Sequence, residues 1–245
     1  LFCCQLWERL CFYGIISLLV LYMVHHFDFK GAKAYEIFGL CFALAYASAV
    51  VGGRLADRLL GFVRSVIIGI SFMTLGALLL TSDSRLMFYP GLAFLIVGTG
   101  FFKPGITSLM GRLYEAHDPR RESGFTIYYI GVNIGAAVAA ILCGYIGMSI
   151  SWHLAFLLSA MGSAIALAIF VTAGRSLYHL GQPPALERLY ARTLGLSNEM
   201  LVYVLMVGAV IFCSLIMDYS RYASLVLEVF GLLAFVYFVF ISVMQ

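Results

Sequence analysis

The chain has 245 residues, of which 63% are apolar and only 11% are Asp, Glu, Lys or Arg. A soluble domain has roughly 45–50% apolar and about 25% charged residues, and the mean hydropathy here is +1.00. A water-soluble fold could not bury this much apolar surface, so the composition predicts an integral membrane protein. The net charge of +3 is small, and we expect no nucleic-acid partner.

Eight apolar runs are long enough to cross the bilayer as helices, which takes roughly 17–25 residues each. They predict transmembrane helices at about 1–24, 34–53, 62–82, 86–110, 123–147, 152–173, 199–218 and 222–244. A polar stretch at 174–198 contains Pro183 and Pro184 and predicts a loop or a short amphipathic helix on the membrane surface. We therefore expect an all-α fold with a six-helix bundle at 1–173, a cytoplasmic linker at 174–198 and a separate helix hairpin at 199–245.

Basic residues alternate between the loops, and this alternation predicts orientation. The basic loops contain Arg54, Arg58, Arg64, Arg112, Arg120, Arg121, Arg175, Arg188 and Arg192. The opposite loops contain Lys30, Lys33, Arg85 and Arg221. This bias predicts a cytoplasmic N-terminus. No signal-peptide pattern precedes the first span, so we expect the chain to start inside helix one.

An ionisable residue inside a membrane helix costs about 2.5–3.5 kcal/mol on insertion scales, and Glu8, Arg9 and Lys103 are the clear cases in this sequence. Glu8 and Arg9 follow Gln5 at helical spacing, which places all three on one face of helix one. Lys103 lies in helix four. One interpretation is an internal ion pair of Glu8 with Arg9 or Lys103 that only joins helices, and the other is a polar cavity in the bundle.

Helices four and five carry further signals. Lys103 precedes Pro104, so we expect an irregular backbone at this charge, as in helices that line transporter sites. Gly131 and Gly135 predict a close approach of helix five to a neighbour. Asn133 lies between them on another face and needs a hydrogen-bond partner, either another helix or a ligand.

The six cysteines have neither zinc-ligand spacing nor a disulfide pattern, and we interpret them as packing residues. The helices contain no arrangement of Ser, Lys and His typical of a nucleophile and its base. The sequence therefore predicts a protein that is not an enzyme and that has no cofactor and no metal site.

Four segments resemble signatures of the proton-coupled oligopeptide transporters of the major facilitator superfamily. They are QLWERLCFYG at 5–14, GGRLADRLLG at 52–61, GTGFFKP at 98–104 with GRLY at 111–114, and GFTIYYIGVNIG at 124–135. The resemblance covers about 1–173. It implies a six-helix bundle of two inverted three-helix repeats, and the final hairpin is similar to the extra helix pair of bacterial members. It also implies a C-terminal bundle, which is absent from this chain.

The same resemblance implies import of di- and tripeptides coupled to protons by alternating access, in the bacterial inner membrane. It implies that Arg9 and Lys103 face the peptide carboxylate and that Tyr13 and Tyr46 line the pocket. Asn133 would then bind the peptide backbone or amino end.

The resemblance further implies that Glu8 exchanges a proton and pairs with Lys103. At the cytoplasmic gate, made by Asp57 and Arg58, we expect Asp57 to accept hydrogen bonds from a helix N-terminus or a nearby Arg. These roles require protons, a small peptide, the lipid bilayer and the absent bundle as partners.

Three positions depart from the signature of helix one. Gln5 replaces an acid, Phe12 lacks a tyrosine hydroxyl, and Ile16 stands where many peptide transporters have Arg. These departures leave two alternatives open: a transporter of the same family for nitrate, an amino acid or a conjugate, or a membrane scaffold or sensor that does not transport.

Overall fold

The computed structural model describes residues 1–82, 84–115, 117–173, 177–193 and 195–221. Its α-helices are α1 (Phe2–His25), α2 (Gly31–Leu55), α3 (Phe62–Leu80), α4 (Arg85–Arg112), α5 (Arg120–Ser149), α6 (Trp152–Ala173), α7 (Leu186–Tyr190) and α8 (Asn198–Asp218). All except α7 belong to segments that are long and apolar enough to cross a membrane. Seven predicted spans are thereby confirmed. The eighth, at about 222–244, and Arg175 lie outside the described residues.

The six helices α1 to α6 pack in two groups. Helix α4 packs against α2 and α3, while α1 packs against α5 and α6, and a contact between α3 and α6 joins the groups. Helix α8 packs mainly on α4. Glycines allow the closest approaches, because a Cβ atom on Gly69 would lie 2.8 Å from the carbonyl oxygen of Gly98. A Cβ atom on Gly52 of α2 would likewise meet the carbonyl of Gly100, so α4 is held on two sides by close backbone packing.

The predicted irregularity of helix four at Lys103 and Pro104 is wrong, because α4 is a continuous helix through both residues. Pro104 has no N–H to donate to the carbonyl of Gly100. That carbonyl lies directly against Gly52 of α2. One turn on, the Thr107 hydroxyl donates to the carbonyl of Lys103 at 2.9 Å. Such neighbouring contacts let a membrane helix contain proline without a break.

Helix α2 ends in a single π-helical turn at Ala56–Leu60. Gly61 closes this turn with a hydrogen bond from its N–H to the carbonyl of Ala56 at 2.9 Å, and its φ is +75°. A Cβ atom at Gly61 would also lie 2.6 Å from the carbonyl oxygen of Gly181. The position requires glycine for two reasons: the positive φ, and the close approach of the linker backbone, which leaves no space for a Cβ atom.

The linker is docked on the bundle rather than extended. Its described part contains a 3₁₀ turn at Tyr178–Leu180, then α7, then a hairpin of β1 (Arg192–Thr193) and β2 (Leu196–Ser197). The N–H of Val63 donates to the carbonyl of Gly181 at 3.2 Å. Arg112 donates to the carbonyl of Leu180 at 3.0 Å. The prediction of a loop or short helix agrees with α7, whereas the two short strands were not predicted.

Asp118 precedes α5 and binds the first residue of that helix, Arg120. Its carboxylate accepts hydrogen bonds from the Arg120 side chain at 3.0 and 3.2 Å and from the Arg120 backbone N–H at 2.8 Å. The guanidinium first, and then the backbone N–H, hold the pKa of Asp118 below its usual value. A carboxylate at this position stabilises the positive end of the helix dipole.

Candidate functional site

A buried polar cluster lies on the face of α1 that the sequence predicted to be polar. Glu8 is fully buried, and Gln5 and Arg9 are 3% and 4% exposed. Arg9 Nε and Nη2 donate to the two carboxylate oxygens of Glu8 at 2.7 and 2.6 Å. The Gln5 amide also donates to Glu8, at 3.4 Å. These contacts form a bidentate ion pair inside the bundle, the strongest geometry for a carboxylate and a guanidinium.

Helix α5 completes this cluster with Tyr128, which was not predicted as a site residue. Its buried hydroxyl donates to Gln5 Oε1 at 3.0 Å. Tyr128 lies on the same helical face as Gly131 and Gly135. A Cβ atom on Gly135 would come within 2.9 Å of the Arg9 Cβ. The predicted close approach of α5 is thereby confirmed, and α1 is its partner.

Two aromatic rings lie beside the guanidinium of Arg9. Its Cζ is 5.0 Å from the ring centroid of Phe12 and 5.7 Å from that of Tyr13. Both distances are within the range of about 6 Å for cation–π contacts. Phe12 supplies this contact without a hydroxyl, so the tyrosine of the family signature is not needed for it.

Lys103 lies at the protein surface, on the side of α4 that faces α2. Its Nζ is 5.3 Å from the ring centroid of Tyr46, and Tyr46 is 64% exposed. Asn133 of α5 is also exposed. Within the described part of the chain, the side chain of Asn133 makes no hydrogen bond. Lys103, Tyr46 and Asn133 are therefore accessible to a ligand, whereas Glu8 and Arg9 lie beneath the surface.

The predicted pairing of Glu8 with Lys103 is not direct. Among the described residues, the ion-pair partner of Glu8 within 4.0 Å is Arg9. Adjacent residues on one helix satisfy each other first because their side chains can meet without any movement of α4.

Asp57 and Arg58, the predicted gate residues, lie exposed on the π-helical turn after α2. Asp57 accepts no hydrogen bond from any residue in the described ranges, so the partner predicted for it is not found there. The described residues also contain no group of three or more His, Cys, Asp or Glu side chains arranged to hold a metal ion.

Membrane-length helices around a buried ion pair, with a further cation and an amide on an accessible face, define a polytopic membrane protein with a polar interior, as transporters have. Residues 63–192 match the sequence family described as PTR2, the POT family. The chain belongs to the POT family.

Similar proteins agree with this assignment. The chain is 38% identical over 175 residues to a di-/tripeptide transporter of Lactococcus lactis subsp. lactis (strain IL1403), covering 68% of this chain and 35% of that protein. It is 36% identical over 176 residues to an uncharacterised transporter, YclF, of Bacillus subtilis (strain 168), covering 69% and 36%. The chain thus spans about a third of the length of these curated relatives.

Solved structures show the same fold. A mutant of the peptide transporter POT in complex with alafosfalin is 32% identical, with a TM-score of 0.74 and coverage of 88% of this chain and 45% of that one. A bacterial homologue of the human drug peptide transporters PepT1 and PepT2 is 27% identical, with a TM-score of 0.79 and coverage of 94% and 52%. The predicted major facilitator fold of the bundle is confirmed.

Proposed function

We propose that this chain forms the N-terminal part of a transporter that imports di- and tripeptides together with protons by alternating access. The observation that supports this most directly is the Glu8–Arg9 ion pair, buried beneath a surface that presents Lys103. Arg9 and Lys103 provide two positive charges against the one negative charge of Glu8. The excess positive charge suits a substrate that has its own carboxylate. The Lactococcus relative is a di-/tripeptide transporter, which supports the same substrate class.

The residue roles in this proposal are those that the family resemblance implies. Lys103 binds the arriving peptide carboxylate at the surface, and Arg9 binds it deeper in the bundle. Tyr13 and Tyr46, which lie beside these two cations, line the pocket. Asn133 binds the peptide backbone or its amino end.

Proton coupling resides in Glu8. When a peptide carboxylate competes for Arg9 and Lys103, Glu8 loses cationic stabilisation and takes up a proton more readily.

Asp57 and Arg58 control the cytoplasmic gate through partners in a facing second bundle. In this proposal 1–173 is the bundle, 174–198 the cytoplasmic linker and 199–245 a helix hairpin. The protein lies in the inner membrane of a bacterium, and its N-terminus is on the cytoplasmic side.

Uptake by the complete transporter in liposomes tests the proposal. We expect labelled dialanine to accumulate when the outside is more acidic, and accumulation to stop when a protonophore removes the gradient. Nitrate and single amino acids should not compete with dialanine. Accumulation of one of those solutes instead of peptides, or absence of any uptake by protein that is correctly folded, would contradict the proposal.

A further inference from the structure

Charged residues cluster beside two neighbouring cavities at the end of the bundle where α2 and α4 begin and α8 ends. The cavities have volumes of about 480 and 530 Å³. The charged residues that line them are Lys30, Lys33, Glu36, Arg85, Asp218 and Arg221. We call this group the outer basic site. It contains every Lys and Arg of the loops that the sequence assigned to the less basic side of the membrane.

Neighbouring aromatic residues hold two of these cations in place without neutralising them. The Arg85 guanidinium donates to the carbonyl of Phe27 and lies 5.5 Å from the ring centroids of Phe27 and Phe29. Lys33 Nζ is 4.7 Å from the ring centroid of Phe29. Within the described ranges, no carboxylate lies within 4.0 Å of Lys30, Lys33 or Arg85. Fixed cations without a carboxylate partner favour the binding of an anion.

The walls of the site are apolar below the cations. The smaller cavity continues along Phe88, Tyr89 and Leu215 of α4 and α8. Three membrane-length helices begin or end here, at Gly31, Arg85 and Asp218, which places the site at the membrane surface. A ligand with an anionic head and an apolar body fits this arrangement, because its head contacts the cations and its body contacts the helices.

We propose that the outer basic site binds the phosphate headgroup of an anionic phospholipid, with the glycerol and the start of the acyl chains against α4 and α8. Among the described residues, Lys30, Lys33 and Arg85 have no carboxylate within 4.0 Å, so the site favours a net negative headgroup over a zwitterionic one. Basic pockets between membrane helices bind anionic headgroups in the same way. Asp218 lines both cavities and opposes the anion, which limits the affinity. The site is separate from the Glu8–Arg9 pair.

Binding of single lipids to the purified protein tests this site, by native mass spectrometry or thermal stabilisation. Phosphatidylglycerol should bind and stabilise more strongly than phosphatidylcholine. Lys33→Gln and Lys30→Gln should each weaken phosphatidylglycerol binding about fivefold, the usual effect of one basic residue near an anionic surface. Asp218→Asn should tighten binding, a direction that general destabilisation cannot produce.

Arg121→Gln is a matched control, because Arg121 is an exposed cation at the opposite end of the bundle. It should leave phosphatidylglycerol binding unchanged. Arg85→Lys keeps the positive charge and should preserve phosphatidylglycerol binding. It serves as a second variant if Lys33→Gln folds poorly. The proposal is wrong if the two lipids bind equally, if Arg121→Gln has the effect of Lys33→Gln, or if Asp218→Asn weakens binding. Full displacement of the lipid by millimolar glycerol phosphate would identify a free-phosphate site instead.

Discussion

Arg64 Nη1 lies 2.6 Å from Glu199 Oε1, and this ion pair joins residues that are 135 positions apart. It connects the first turn of α3 with the first turn of α8. Arg64 also donates to the hydroxyl of Tyr190 at 3.1 Å, and the Tyr203 hydroxyl donates to Glu199 at 3.0 Å. The network fixes the start of α8 to the bundle, with the docked linker between them.

Glu199→Gln should loosen this attachment. The side chains of Arg64 and Glu199 are 22% and 21% exposed, and a partly exposed pair contributes about 1 kcal/mol at most. We expect a small decrease in melting temperature and faster trypsin cleavage at the exposed Arg188 and Arg192 of the linker.

The pair of Asp118 with Arg120 supplies the control for this change, because it joins residues two positions apart at the start of α5. Asp118→Asn should not alter cleavage of the linker. A double-mutant cycle with Arg64→Gln should give a coupling energy above zero. Additive effects of the two changes would show that the ion pair does not hold the linker.

Glu8→Gln should abolish uptake driven by a proton gradient while preserving peptide counterflow, which requires no net proton movement. The amide has nearly the same shape but carries no titratable proton. The change leaves Arg9 buried without its anion, and removing one partner of a buried pair costs about 3–5 kcal/mol. Melting temperature and counterflow must therefore be measured on the same preparation. Concentrative uptake equal to that of the parent would remove Glu8 from the coupling mechanism.

Gln5→Glu should restore an acid that the family signature contains at this position. The new carboxylate would lie beside Glu8, because the Gln5 amide now contacts Glu8 at 3.4 Å. Two nearby carboxylates hold a shared proton more tightly than one. We therefore expect the pH profile of uptake to move to higher pH. Gln5→Met, which adds no charge, should leave the profile in place and change only the rate.

Lys103→Gln should weaken the binding of peptides that have a free C-terminal carboxylate by about tenfold, the lower range for a charge-assisted hydrogen bond. Peptide amides lack that carboxylate and should lose little affinity. Lys103→Arg should retain most of the binding. Competition of uptake by dialanine and by dialanine amide measures both effects, and equal losses for the two ligands would contradict a carboxylate role for Lys103.

Gly52→Ala should destabilise the bundle, since the added Cβ would meet the carbonyl of Gly100. Overpacking of this kind costs about 1–3 kcal/mol. Gly39→Ala in the same helix is the control, because no atom lies within 4 Å of the added Cβ there, and it should be neutral or slightly stabilising. Thermal unfolding of the two variants tests the contact. Equal melting temperatures would show that α2 and α4 can separate without cost.

The sequence predicted the seven described membrane spans, because a helix that crosses lipid is predominantly apolar over roughly 17–25 residues. The two parts of the candidate site differ in how far they could be predicted. The polar face with Gln5, Glu8 and Arg9 follows from helical spacing. The partner of Glu8 does not, because spacing cannot distinguish an adjacent Arg9 from Lys103 on another helix.

Tyr128 could have been found from the same pattern. It lies three and seven residues before Gly131 and Gly135, on the face that packs against α1, so a buried hydroxyl there needs a partner on α1. The docked linker could not be predicted, since its contacts with Val63 and Arg112 are mostly to backbone carbonyls. Every residue has a backbone carbonyl, so hydrogen bonds to these carbonyls do not depend on residue type and cannot be recognised in the sequence.

Because the two partners of the buried ion pair are neighbours on α1, the pair can form before any other helix is present. During synthesis α1 enters the membrane ahead of α4 and α5, when neither Lys103 nor Tyr128 is available. A helix with two separate charges would have to wait for later helices or insert at a high energetic cost. Glu8 and Arg9 instead enter the membrane as one neutral pair. Helix α1 can therefore insert first, although its charges end up in the interior of the bundle.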